Sequence, residues 1–171
     1  ASIGFADPDA AMRHVTALTA GISRAAKINR ILLPAALQWL GEGQNPDMGL
    51  PNWRKLEEHF GTDSEYLGFL RDSPSAAQRL CHILSNSRFL GDALNKSVES
   101  VTWLGSDNDL QPRSRESLDV QTHASLERNA GSINDFANSI RAMRRHEIER
   151  IGLGWMSGVI DDKASLAGMT D

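Results

Sequence analysis

Residues 45–86, NPDMGLPNWRKLEEHFGTDSEYLGFLRDSPSAAQRLCHILSN, decide the fold class of this chain. Three helix starts are written into them. Asn45-Pro46 and Ser73-Pro74 each place a side-chain acceptor before a proline, and Asp63 stands in the same role before Ser64. Such a side chain accepts from free amides of the first turn, where the missing N–H of proline costs nothing. Behind each start the apolar residues recur at three and four: Leu50, Trp53, Leu56 and Phe60; then Tyr66, Leu67, Phe69 and Leu70; then Ala77, Leu80, Ile83 and Leu84. That spacing gives one apolar face per helix. Gly61 closes the first helix, and the second is expected over residues 64–71.

The same grammar runs outward. Asp7-Pro8 opens a helix with Ala11, Val15 and Leu18 on one face, and Gly21 ends it. Ser23 caps a second, whose stripe is read as Ala25, Ile28, Ile31, Leu32, Ala35, Ala36, Trp39 and Leu40. Pro34 lies inside it, deprives the Arg30 carbonyl of its donor and predicts a kink. Beyond residue 86, short helices are expected over 89–94 and 98–104. The run GSDNDLQP, residues 105–112, has the composition of a loop. An amphipathic helix over 114–128 should follow, then a break at 129–131. A long helix then carries Ile133, Phe136, Ile140, Met143, Ile148, Ile151, Trp155 and Val159, and another starts near 163. No stretch shows the sustained two-residue alternation of a half-buried strand. The reading is all-α, a bundle of about eight to ten helices with short loops and no sheet.

Composition narrows what such a bundle does. The 171 residues are 40% hydrophobic and 23% charged, with 18 Lys and Arg against 22 Asp and Glu for a net charge of −4. A nucleic-acid domain concentrates positive charge, so generic DNA binding is not expected. The apolar runs are too interrupted to cross a bilayer, and residues 1–20 lack a basic start followed by an apolar block. A single cysteine, Cys81, forms no internal disulfide and suits a reducing cytosol, so the expected location is cytoplasmic. The chain opens on Ala1, not Met, and its last helix would be cut short at Asp171, both expected of a piece of a longer protein.

Few motifs carry chemistry. His146-Glu147-Ile148-Glu149-Arg150 approaches the zinc helix HExxH, but Arg150 stands where the second histidine must be, and a polar helix face is expected instead. Cys81 and His82 are helical neighbours that diverge by about 100°, which makes Cys81 a small core residue. GLGWMSG, residues 152–158, follows a helix and not a strand, so its glycines suggest close helix packing. The four tryptophans, Trp39, Trp53, Trp103 and Trp155, read as core anchors. Neither catalytic, cofactor-binding nor metal-ligating residues are assigned. The one candidate contact set is Arg144, Arg145 and Arg150: arginine forks suit phosphate or carboxylate groups, while salt bridges to Glu147 and Glu149 are the plainer use.

Three stretches together resemble a known family. They are GFADPDAAMRHVTALTAG at 4–21, the segment from 45 to 94 ending in SNSRFLGDAL, and IRAMRRHEIERIGLGWMSGVID at 140–161. In that order they are similar to the central part of the bifunctional glutamine synthetase adenylyltransferase/adenylyl-removing enzymes. Residues 113–132 match only loosely. The resemblance implies two nucleotidyltransferase domains in tandem, one removing AMP from a tyrosine of glutamine synthetase by phosphorolysis and one attaching AMP from ATP. It further implies glutamine synthetase and a PII-type signal protein as partners of the parent enzyme, and magnesium and ATP as its requirements.

On that resemblance, residues 1–72 form a helical connector or regulatory segment, and 73–171 the helical segment before the second catalytic domain. The family's catalytic signature, a glycine-rich loop followed by Ser-Asp-x-Asp, supplies carboxylates for two-metal chemistry. Ser106-Asp107-Asn108-Asp109 shares its letters but lacks the glycine-rich lead and is read as a turn. The chain by itself is therefore expected to be inactive and to hold no cofactor. A stand-alone interaction module is the alternative, and residues 105–112 are the candidate hinge between two states.

Overall fold

In a computed structural model, which describes residues 4–170, every helix start read from a capping residue is present. Helix α1 spans Pro8–Thr19, α2 Arg24–Gly41, α3 Pro46–Phe60, α4 Ser64–Asp72 and α5 Pro74–Asn86. Asp7, Ser23, Asn45 and Asp63 each accept a first-turn amide, at 2.8 to 3.1 Å. Ser73 makes no such bond, and there the proline alone marks the start. Short α6, Arg88–Leu94, and α7, Val98–Thr102, follow, and a single 3-10 turn over Trp103–Gly105 takes the place of the second short helix's last turn. Then come α8 Arg115–Arg128, α9 Ile133–Met156 and α10 Asp162–Thr170, with no strand among the described residues.

The chain divides into two compact units, one up to Asp109 and one from Leu110. The boundary expected at 72/73 falls instead inside the first unit, because α5 packs against α2 and α3 and cannot be separated from them. The break lies in the polar run 105–112.

In the first unit α5 is the central element. Leu80, Ile83 and Leu84 of α5, Leu50, Trp53 and Leu56 of α3, Leu40 of α2 and Leu70 of α4 are fully buried. Each such side chain withdrawn from water stabilises the fold by about 1.5–3 kcal/mol before entropy is charged against it. Gly49 allows the tight approach: a Cβ there would sit 2.6 Å from Leu40 Cδ2 and 3.2 Å from Ser85 Cβ. Helix α2 runs unbroken through Pro34, whose ring is exposed. Its buried stripe is Ala26, Ile28, Asn29, Leu33, Ala36 and Leu40, so Ile31, at 79% exposure, is no core residue. The face is rotated by one position from the one expected, because a polar Asn29 occupies it.

The second unit is built differently. Helix α9 buries Glu147, Glu149, Ile151, Leu153 and Gly154, while Ile133 and Trp155 of the expected apolar face lie open to solvent. Trp155 is anchored through its edge instead, donating from Nε1 to Asp162 Oδ1 at 2.6 Å. Helix α8 is not amphipathic: only Ser125 is buried, and Val120 and Leu126 are exposed. Gly154 fulfils the close-packing expectation, since a Cβ there would run into the Leu110 carbonyl oxygen. Gly158 does not; it has φ +70° with open space around it, and turns the chain out of α9.

Candidate functional site

The arginine cluster does not form one surface. Arg144 and Arg145 project from α9 into solvent, and Arg141 donates to Asn138 Oδ1 at 3.0 Å on the same helix. Arg150, with its side chain 12% exposed, lies inward, its Nε 3.7 Å from Glu147 Oε2. Six residues of helix are about one and two-thirds turns, which sets it about 120° round the cylinder from Arg144.

Glu147 is the centre of the polar chemistry there. Its Oε1 accepts the Arg113 backbone N–H at 2.7 Å and its Oε2 accepts Arg113 Nε at 2.8 Å. Arg113 extends the chain, donating from Nη1 to Gln121 Oε1 at 2.7 Å. One carboxylate thus ties the segment before α8 to α9. Sequence reading placed HEIER on a polar solvent face; the helix instead turns Glu147 and Glu149 inward, at 8% and 6% exposure. A buried carboxylate is retained only where donors replace its water.

The SDND run is a turn. Asp109 donates its backbone N–H to Ser106 Oγ at 3.4 Å, and the Asp107 carboxylate accepts from Arg79 Nη2. Arg79 also donates to the Leu104 carbonyl at 3.1 Å, so this aspartate is held by a neighbour in the first unit. Cys81 is fully buried on α5 and its thiol is pushed up by burial, while His82 points outward. Among the described residues no group of three or more His, Cys, Asp or Glu is placed to hold a metal ion, and no helix is long and apolar enough to cross a membrane.

Sequence reasoning missed a polar cavity in the first unit. It has a volume of about 350 Å³ and lies where the end of α1, the start of α2 and the end of α3 meet. Asn29 of α2, only 1% exposed, and Glu57 of α3 line it. Asn29 donates from Nδ2 to the Leu18 carbonyl at 3.3 Å, and its Oδ1 accepts nothing. Glu57 Oε1 accepts the Tyr66 hydroxyl at 3.0 Å. Burial pushes the Glu57 carboxyl above its ordinary range, opposed by donors from Tyr66, Asn29 and Trp53. Tyr66 is pushed well up by its own burial and by the Glu57 charge. The signal was present in the sequence: Asn29 stands on the apolar stripe of α2, and Glu57 sits one turn after Trp53, beside Leu56.

With this geometry in place, the relatives are informative. No family model matches the chain, and neither does any solved structure. Among curated proteins, a bifunctional glutamine synthetase adenylyltransferase/adenylyl-removing enzyme of Bifidobacterium longum (strain DJO10A) is 79% identical over 170 residues, 99% of this chain. The chain is homologous to one stretch of these bifunctional enzymes. It spans 16% of the length of that relative. The enzyme of the same description from Leifsonia xyli subsp. xyli is 46% identical over 92% of the chain, again on 16% of its own length. That from Streptomyces coelicolor is 39% identical over 87% of the chain and 15% of its own length. The homologous stretch includes residues 113–132 in the Bifidobacterium enzyme, because 99% of the chain is aligned.

Proposed function

We propose that this chain is the helical connector of an enzyme that adenylylates and deadenylylates glutamine synthetase, and that it carries no catalytic centre of its own. The observation that supports this most strongly is the 79% identity across 99% of the chain, confined to 16% of the relative. A match of that kind assigns the chain a part of the parent's architecture. In this reading the parent works in the cytoplasm with ATP and magnesium, takes glutamine synthetase as substrate and answers to a PII-type signal protein. The non-catalytic role is supported by the occupation of Asp107 by Arg79 on a turn, where a metal-binding carboxylate would face an open site. Arg144 and Arg145, exposed on α9, serve as contacts to acidic or phosphate groups elsewhere in the parent, and Arg150 supports them from within the Glu147 network.

The test is a chimaera. The Bifidobacterium longum enzyme with its matching 170 residues replaced by this chain should still transfer AMP to glutamine synthetase, and the 171-residue chain alone should transfer none. A folded chimaera without transfer, or transfer by the chain alone, overturns the reading. A second reading, an interaction module, is favoured by Ile133, Val120 and Leu126, exposed by 87%, 65% and 50% on α8 and α9. Retention of glutamine synthetase or the signal protein by the chain alone would favour it.

A further inference from the structure

Two acceptors stand on the wall of the cavity at Glu57: Asn29 Oδ1, which accepts no hydrogen bond, and the Glu57 carboxylate, whose Oε1 takes the Tyr66 hydroxyl. A carboxylate has room for about four donors, so those of Tyr66, Asn29 and Trp53 do not saturate it. The cation on the cavity rim is already used. Arg54, on the rim, donates from Nε to Glu58 Oε1 at 2.8 Å, one turn along α3. Among the described residues, Glu57 is thus the carboxylate on the cavity wall with which no side-chain cation forms an ion pair. The remaining wall is built of small residues, polar at Ser23 and Thr62 and apolar at Ala17 and Ala25, which leave space for a short alkyl chain within about 350 Å³.

We propose that this cavity binds the primary ammonium group of a small molecule, with Glu57 and Asn29 Oδ1 accepting its N–H donors and the alkyl stem lying against Ala17 and Ala25. An ammonium group carries three donors and one positive charge, and so answers both the acceptor left without a donor and the charge left without a counter-ion. A carboxylate or phosphate ligand would bring a second negative charge against Glu57. The inference does not depend on the connector role: the site can fail while the chimaera works, and the reverse.

The experiment is a titration of the 15N-labelled 171-residue chain with propylammonium chloride at constant ionic strength, followed at the Asn29 side-chain amide and the Trp53 indole N–H. Saturable shifts are expected with propylammonium, and none with propan-1-ol or sodium chloride. Glu57→Gln keeps the shape and the Tyr66 bond but should weaken binding by about tenfold or more, the usual worth of a charged partner. Ala25→Leu leaves every polar group in place and fills the space, so it should abolish the response. Linear shifts without saturation, an equal response to propan-1-ol, or unchanged affinity in Glu57→Gln would each overturn the proposal. If Glu57→Gln failed to fold, Ala25→Leu would decide: persistence of binding with the cavity filled would sink it.

Discussion

Helices α5 and α8 are almost the same length and are held in opposite ways. Seven of the 13 residues of α5 are buried, and six of those seven are Ala, Leu, Ile or Cys. Of the 14 residues of α8 one is buried, and it is a serine. The first unit is stabilised by apolar area around α5; the second by a smaller apolar set, Leu110, Ile151, Leu153 and Ile160, joined by a carboxylate with its arginine, a close backbone approach at Gly154 and an indole edge on Asp162. Apolar burial is undirected and tolerates a rotated stripe, as α2 shows. Polar anchoring is directed, and fails as a unit when one partner is removed.

The largest expected effect lies in the first unit. Leu80→Ala, at a fully buried position, should cost about 2–5 kcal/mol in denaturant unfolding, the range for a leucine truncated in a packed core. The contrast is broken if it costs less than a change in the polar anchor. That change, Glu147→Ala, strands Arg113 and should cost about 2–3 kcal/mol, less than for a fully buried pair because the Arg113 side chain is 23% exposed. Hydrogen exchange should localise the loss to α8 and α9. Gly154→Ala should cost about 1–3 kcal/mol by driving a methyl group into the Leu110 carbonyl, read as a lower Tm.

A pH experiment sharpens the same comparison. Glu57 has its folded pKa raised above the ordinary 4.5 by burial, so between those two values the folded state holds the proton that the unfolded chain has released. Its contribution to stability therefore falls as pH rises above about 4.5 and levels off beyond the folded pKa. Glu57→Gln should remove that downward slope and raise Tm at neutral pH; an unchanged slope would show that Glu57 is not its source. Smallest of all, Arg144→Ala should change stability by less than about 0.5 kcal/mol, as expected for an exposed site. A larger loss would mean that Arg144 is part of the polar anchor and not a free contact.

How far the sequence reached follows the same division. In the first unit, caps and apolar spacing act locally, and every helix from α1 to α5 was legible within a residue or two of its ends. Ile31 misled because periodicity alone does not say which of two adjacent faces is covered, and Asn29 was passed over because a polar residue on an apolar stripe looks like noise. In the second unit the helices were legible but their faces were not. Ile133 and Trp155 were read inward, and Glu147 outward; for Glu147 the partner that reverses the reading, Arg113, lies 34 residues away in the chain. The compact units part at 109/110, whereas the segment boundary drawn from the resemblance, 72/73, lies inside the first of them, where a Ser-Pro start signals a new helix and not a new unit. Of the arginine set, Arg144 and Arg145 were placed on the surface as their type suggests, whereas the inward turn of Arg150 depends on the buried carboxylate beside it.

Cys81 makes the first unit its own reporter. The only thiol in the chain sits with no exposed surface on the central helix, and burial holds it protonated. An alkylating or disulfide-exchange reagent attacks the thiolate, so neither exposure nor reactivity is available until α5 leaves its neighbours. The rate of modification therefore clocks the opening of that unit, with no label introduced and without sensing fraying of α8 or α10. Compared across Leu80→Ala and Glu147→Ala, one stopwatch would tell whether the two units open together or apart.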